Sequence, residues 1–325
     1  MTTGILGTGS AVPENCVENA DLIRAGLNTT DEWIREHTGI TQRYVTSPEE
    51  ATSDLAYLAA SRALQAANVR ASDVDLTICA TSTPDYPLPS TAGLVQARLG
   101  CAGGAFDVNA VCSGFAYALI TAYGLHATGR YRHILVIGAD TYSKIIDQRD
   151  RRTAFFFGDG AGAVVLGHSN RGALLAACEG SDGSQARHIM VSTGGSRRPA
   201  TVERLSDGEG RFYMDGRAVW DFVVECFPAA VRTVSSRAGL DVSDLTLVIP
   251  HQANQRLLRA CAQRLELRAD QLFTNVERFG NTAAASIPMA LDEAVRAERL
   301  QPGDVVVLVG FGGGLAWAAT CLRWG

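Results

Sequence analysis

The stretch Phe106-Asp107-Val108-Asn109-Ala110-Val111-Cys112-Ser113-Gly114-Phe115-Ala116-Tyr117-Ala118-Leu119 decides how the rest of the chain is read. A short β-like lead-in runs into a turn at Cys112. From there Phe115, Leu119, Ile120 and Tyr123 recur at helical spacing and predict a helix to about Thr128. A thiol therefore stands at a strand-to-helix turn, where unpaired N–H groups and the positive end of a helix dipole favour thiolate over thiol. The alternative is a free cysteine packed as a small hydrophobe. With eight cysteines in the chain, the context of Cys112 alone does not choose between the two.

Working outward, the second half of the chain replays the first. Phe273-Thr274-Asn275-Val276-Glu277-Arg278-Phe279-Gly280-Asn281-Thr282-Ala283-Ala284-Ala285 again reads as a strand, a turn and a small-residue helix, with Asn281 lying 169 positions beyond Cys112 (281 − 112). Val74-Asp75-Leu76-Thr77-Ile78 is echoed by Ser243-Asp244-Leu245-Thr246-Leu247 at the same offset (245 − 76). Leu135-Val136-Ile137-Gly138 is echoed more loosely by Val307-Leu308-Val309-Gly310, at 172 (310 − 138). Strands alternating with helices argue for α/β layers in each half, with the alanine-rich helices after Cys112 and Asn281 back to back in the middle. The halves are expected to span 1–170 and 171–325, joined by the polar turn His168-Ser169-Asn170-Arg171-Gly172-Ala173.

The offset of 169 carries His251 onto Ser82, just past the first-half strand. His251 ends Leu247-Val248-Ile249-Pro250, and ligand sites in open α/β sheets lie beyond the carboxyl ends of strands. Cys112, His251 and Asn281 are therefore expected to converge; the other reading of His251 is a structural cap on the helix that follows. The order Cys, His, Asn also occurs in papain-like proteases. Val111-Cys112-Ser113-Gly114 lacks their C-G-S-C-W type signature, however, and the half-chain repeat has no place in that fold, which leaves a Cys hydrolase as the minor alternative.

Composition narrows the function classes. A chain of 325 residues, 46% hydrophobic and 19% charged, is globular and long enough for a large core. A net charge of −5 with no Lys/Arg-rich run argues against nucleic acid or an anionic membrane as partner, and Lys144 is the sole lysine. No CxxC pair or Cys/His spacing suggests a metal site. Met1-Thr2-Thr3-Gly4-Ile5-Leu6 lacks the basic and apolar regions of a signal peptide, so a reducing, cytoplasmic location is expected. The uncharged run between Asp304 and Arg323 reads as a buried strand, a glycine turn and another strand. Phe155 to Leu166 reads as two strands around the turn Gly158-Asp159-Gly160-Ala161-Gly162, which no helix follows as a phosphate loop requires. Phe311-Gly312-Gly313-Gly314-Leu315 differs, because successive glycines let backbone N–H groups approach a ligand, and an oxyanion hole shared with the Cys112 N–H suits acyl chemistry.

Val111-Cys112-Ser113-Gly114, His251-Gln252-Ala253-Asn254, Gly280-Asn281-Thr282-Ala283-Ala284-Ala285-Ser286-Ile287-Pro288 and Phe311-Gly312-Gly313-Gly314 together resemble β-ketoacyl-acyl-carrier-protein synthase III, among the thiolase-fold condensing enzymes. Gly7-Thr8-Gly9-Ser10, Asp31-Glu32-Trp33-Ile34 and Thr38-Gly39-Ile40 extend the likeness to the N-terminus. The resemblance implies an α/β, duplicated thiolase-like fold with five α-β-α-β-α layers, a homodimer, and a Cys112, His251, Asn281 site needing no permanently bound cofactor. It implies that an acyl-CoA primer loads onto Cys112 with the N–H groups of Cys112 and Gly313 as oxyanion hole. A malonyl thioester, on an acyl carrier protein or on CoA, then loses CO2 while His251 and Asn281 hold its carbonyl oxygen, and the product is a 3-oxoacyl thioester of fatty-acid initiation or of a polyketide or related secondary pathway. The competing activity on this scaffold is acyl transfer from Cys112 to an oxygen, nitrogen or sulfur acceptor without decarboxylation.

The resemblance also assigns CoA contacts to Trp33, Arg151 and Asn254, and carrier docking to Arg256. His37 stands where the family commonly has an arginine, and Asp221 where the docking face is often basic. Leu88 stands where a bulky aromatic from the neighbouring subunit closes the primer pocket, so a longer or branched acyl group is expected to fit. Arg197, Arg198 and Arg204, in the stretch Gly194 to Gly210, read as a cover over the CoA entrance or as a solvated loop.

Overall fold

Two sheets of the same wiring carry the chain in the computed structural model, which describes residues 2–325. The first has five strands in the order Thr2–Ala11, Asp159–Ser169, Ile134–Thr141, Leu76–Ala80, Gly104–Val108, the last three mutually parallel and the first two antiparallel to their neighbours. The second has four in the order Ala173–Ser181, Ala316–Arg323, Val305–Gly312, Leu247–Pro250, with the same alternation of directions. The fifth strand expected at Phe273 shrinks to one bridge, Val248 with Leu272. Beyond it the buried side chain of Gln252 takes over the ladder, donating to the Phe273 carbonyl (3.2 Å) and accepting from the Asn275 N–H (2.9 Å). The chain is then free to turn into the short helix Val276–Phe279.

Helices complete five layers. Thr52–Ala67 covers the outer face of the first sheet, and Gly216–Arg237 and Gln255–Arg264 cover that of the second. Between the sheets lie Gly114–Ala127 and Ser286–Arg296, whose Phe115, Leu119, Ile287 and Leu291 are wholly buried with strand residues of both sheets. A helix covered by sheets above and below must be apolar on every side, which is why Gly114–Ala127 has no polar face. The uncharged C-terminal run is the hairpin Val305–Gly312 with Ala316–Arg323. No helix among the described residues is long and apolar enough to cross a membrane.

The repeat holds, but its register differs from the expected one. Val111 and Ala283 both take a left-handed backbone (φ 49° and 48°), in the tight turns Val111–Ser113 and Ala283–Ala285 that lead into the central helices, which sets the offset at 172 (283 − 111). Asn109 Oδ1 accepts from the Val111 N–H as Asn281 Oδ1 does from the Ala283 N–H. The counterpart of Cys112 is thus Ala284, and that of Asn281 is Asn109. Strand pairing likewise puts His251 opposite Ala80, not Ser82, since Pro250 pairs with Val309 as Cys79 pairs with Ile137. The Asp-Leu-Thr match misled because Leu76 begins its strand, whereas Leu245 precedes the strand that starts at Leu247.

Each turn packs on the sheet of the opposite half, and glycine permits it. A Cβ on Gly310 would lie 2.8 Å from Ser113 Cα, and one on its counterpart Gly138 would lie 2.3 Å from the Ala284 oxygen. These two crossings place the site at the junction of the halves.

Candidate active site

Cys112 lies before the central helix, in the turn that follows left-handed Val111, a conformation costly for a β-branched residue and typical of a side chain held in a set direction. It is buried (8% exposed) among Tyr142, Ile146, Phe157, Phe212 and Ala283. The backbone N–H groups of Cys112 and Gly313 face its sulfur and favour the thiolate, but burial outweighs them and, with nearby Asp140, pushes the thiol above the usual range. Burial and the helix end thus act on the thiol in opposite senses.

His251 follows the strand Leu247–Pro250 and is 2% exposed, with the Phe311 ring edge-on at 5.2 Å. Burial depresses its imidazolium pKa to about 3, so the ring is neutral. Ser286 Oγ lies 2.7 Å from His251 Nδ1 and 2.8 Å from the Ala283 carbonyl, and accepts from the Gln252 N–H at 3.3 Å. When its single hydrogen turns to Nδ1, Nε2 carries the proton and becomes a donor; when it turns to Ala283, Nε2 offers a lone pair.

Asn281 is held by backbone bonds on both sides, its N–H to the Phe156 carbonyl (2.8 Å) and its carbonyl from the Gly158 N–H (3.0 Å). Its Oδ1 accepts from the Ala283 N–H at 2.9 Å, which leaves Nδ2 without a partner in the chain among the described residues. Ala283 thus joins the three: it packs on Cys112, bonds Asn281, and meets His251 through Ser286. This meeting also corrects the reading of Phe155 to Leu166. Only Asp159–Ser169 is a strand, and Phe157 forms one bridge to Asn281, a crossing that Gly158 permits, since a Cβ there would lie 2.3 Å from the Phe279 carbonyl oxygen.

A cavity of about 270 Å³ leads to Asn281 past Arg152, Phe156, Met214, Trp220 and Asn254. Asn254 caps Gln255–Arg264 through Oδ1 and ties down the His37 carbonyl through Nδ2 (3.1 Å). Trp33 is stacked on His37 at 4.2 Å, with the Arg151 guanidinium over its ring at 5.5 Å. Arg256 and Asp221 are exposed on neighbouring helices. Leu88, 82% exposed, touches no part of the pocket in its own subunit. In the Gly194 to Gly210 loop, Arg198 pairs with Glu209 and Arg204 bonds the Pro199 carbonyl, while Arg197 is exposed.

Four contributors had no sequence signal of their own. Tyr142, Phe157 and Phe212 form an aromatic box around Cys112, with Tyr142 stacked on Phe157 at 4.7 Å and Phe212 edge-on to both. They come from three distant segments, so no periodicity links them. Ser286 lay inside a quoted motif, yet only its distance to His251 marks it out.

Similarity to known proteins agrees with this geometry. Residues 106–183 match the family model for 3-oxoacyl-[acyl-carrier-protein] synthase III, and residues 236–324 match the model for its C-terminal part. The β-ketoacyl-[acyl-carrier-protein] synthase III of Caldanaerobacter subterraneus subsp. tengcongensis is 44% identical over 100% of this chain and 98% of its own; that of Symbiobacterium thermophilum is 45% identical over 99% and 98%. The crystal structure of the Aquifex aeolicus 3-oxoacyl-[acyl-carrier-protein] synthase III superposes with a TM-score of 0.92 at 39% identity, covering 99% of this chain and 100% of that one. The priming β-ketosynthase of the R1128 polyketide pathway superposes at 0.91 with 32% identity, covering 99% and 96%. With its duplicated thiolase fold and relatives matched end to end, the chain belongs to the β-ketoacyl-[acyl-carrier-protein] synthase III family of condensing enzymes, which initiate fatty-acid or polyketide synthesis.

Proposed function

We propose that the Cys112 thiol takes an acyl group from acyl-CoA and that His251 and Asn281 direct the decarboxylation of a malonyl thioester against it. The observation that carries this reading is the close approach of the glycine run to Cys112, where a Cβ on Gly312 would lie 3.2 Å from the sulfur and 3.4 Å from the Cys112 nitrogen, leaving room for backbone N–H groups beside the nucleophile. In the first half-reaction the sulfur attacks the thioester carbonyl, the N–H groups of Cys112 and Gly313 hold the oxyanion, and CoA leaves as its thiol. His251 in its Nε2 lone-pair tautomer takes the thiol proton and passes it to the departing CoA sulfur, which leaves the ring neutral. In the second half, loss of CO2 leaves an enolate whose oxygen is held by the Nε2–H of neutral His251 and by Asn281 Nδ2. The carbanion attacks the acyl-Cys112 carbonyl, the C–S bond breaks to give a 3-oxoacyl thioester, and the released Cys112 thiolate takes up one proton from solvent. No bound cofactor takes part; acyl-CoA is a substrate.

The cavity past Asn254 accepts the pantetheine arm, with Trp33 and Arg151 toward the nucleotide and exposed Arg256 toward an acyl carrier protein, although Asp221 removes positive charge from that face. A homodimer accounts for the free edge of Gly104–Val108, its exposed Phe106, and Tyr86 and Leu88 on the adjoining loop. Leu88 of each subunit would then complete the other's primer pocket. The two catalytic halves divide near residue 170, and eight free cysteines suit a reducing cytoplasm.

Intact-mass measurement after incubation with a panel of acyl-CoAs, followed by labelled malonyl thioester, tests the reading. An acyl adduct and CO2 release are expected; an adduct chased to other acceptors without CO2 would select acyl transfer alone, and no adduct from any primer would reject the loading step. Gly312 supplies a sharper check. A Cβ there would stand 2.7 Å from Cys112 Cβ and 3.2 Å from its sulfur. Gly312→Ala is expected to slow adduct formation by about tenfold to a hundredfold, which is what ~1–3 kcal/mol of overpacking in the attacking geometry gives.

A further inference from the structure

The register of the repeat gives the oxyanion hole a twin. In one copy the N–H of Cys112, on a turn from the first half, meets Gly312 and Gly313 at the end of a second-half strand. In the other, the N–H of Ala284, the counterpart of Cys112, meets the end of the first-half strand Ile134–Thr141, where the counterpart of Gly312 is Asp140 (312 − 140 is again 172). Glycine leaves the first hole open. Asp140 fills the second: its Oδ2 accepts from the Ala284 N–H at 2.9 Å.

Asp140 is wholly buried and bonded only to N–H and O–H groups. Oδ1 gathers the donors of Thr81–Thr83: Thr83 Oγ1 at 2.7 Å, Ser82 N–H at 2.8 Å, and at 3.1–3.2 Å the Thr83 N–H and the hydroxyls of Ser82 and Thr81. Oδ2 has Ala284 alone. The turn it grips, Ala283–Ala285, is the piece that fixes both groups of the second half-reaction, since the Ala283 N–H holds Asn281 Oδ1 and the Ala283 carbonyl and Ser286 hydroxyl set His251. None of these contacts orients the Cys112 N–H or that of Gly313.

We propose that Asp140 is a positioning residue for decarboxylation: its carboxylate occupies the duplicate oxyanion hole and, through the Ala284 N–H, holds Asn281 and His251 in place, while the open hole serves acylation. The inference rests on the two half-reactions assigned above. It predicts that the halves come apart on substitution, whereas a carboxylate that merely stabilised the fold would affect them together.

Asp140→Asn is the discriminating variant. Its retained oxygen can keep the Thr81–Thr83 donors, but its NH₂ then faces the Ala284 N–H, donor against donor. With wild type as reference, adduct formation on Cys112 is followed by intact mass, CO2 release by label from malonyl thioester, and folding by thermal unfolding. Adduct formation is expected to hold or rise, because the Asp140 charge that opposes the Cys112 thiolate is gone, and CO2 release to fall by roughly tenfold to a hundredfold, as a shift of about 1 Å in positioned groups produces. Equal losses in both steps, a loss in adduct formation alone, or no change would overturn the proposal. If Asp140→Asn does not fold, Asp140→Glu, which keeps the charge but drives the carboxylate toward Ala284, reads the same ratio by the same criteria. A wild-type protein that forms no adduct and releases no CO2 would instead reject the half-reaction scheme itself.

Discussion

Cys112→Ala is expected to form no adduct with any acyl-CoA, to lose condensation by on the order of 10⁴-fold or more, and yet to release CO2 from malonyl thioester within roughly tenfold of wild type. The asymmetry follows from where the groups sit. The alanine removes only the sulfur from a turn whose shape is set by Val111, by the Ser113 bond to the Ala110 carbonyl (2.7 Å) and by Gly310 behind it. His251 and Asn281 are anchored on the other turn, through Ser286 and Ala283. Mass spectrometry of the acyl-CoA mixture and label release from malonyl thioester check the two claims separately; a Cys112→Ala protein that still acquires an acyl group would move the nucleophile elsewhere.

How much of this was legible beforehand depended on whether the signal was local. The buried strand and hairpin of the uncharged run after Asp304, and the helix after Cys112, were readable because propensity and periodicity act within a few residues. The duplication was readable too, though off by three positions, because short apolar strands resemble one another while the left-handed residues that fix the register, Val111 and Ala283, carry no residue-type signature. The strand expected at Phe273 failed for a tertiary reason, the buried Gln252 amide standing in for a neighbouring strand. The dipole argument sees one helix end and not the aromatic box, whose desolvation of Cys112 acts the other way. Asp140 could not be found from sequence at all. It is one acid among many until its Oδ2 is seen on the Ala284 N–H.

Asn281 is where donor and support can be separated. Its Oδ1 belongs to the Ala283 N–H, its Nδ2 has no partner in the chain among the described residues, and the residue lines the cavity. Asn281→Ala removes both, and is expected to lower CO2 release by about 10²- to 10³-fold, the usual cost of one oxyanion donor. Asn281→Asp keeps an acceptor for Ala283, so the turn and Ser286 should stay in place, but it puts a carboxylate oxygen where the donor was, against the negative charge that develops as CO2 departs. Repulsion then adds to the lost hydrogen bond. CO2 release from Asn281→Asp should therefore fall at least as far as from Asn281→Ala, roughly 10³-fold, even though the aspartate preserves more of the structure. Adduct formation on Cys112 should change by no more than about threefold in Asn281→Asp, since acylation uses the N–H groups of Cys112 and Gly313. If Asn281→Asp decarboxylates faster than Asn281→Ala, the residue acts by holding the turn; if it is slower while both still load primer, Nδ2 acts on the enolate oxygen.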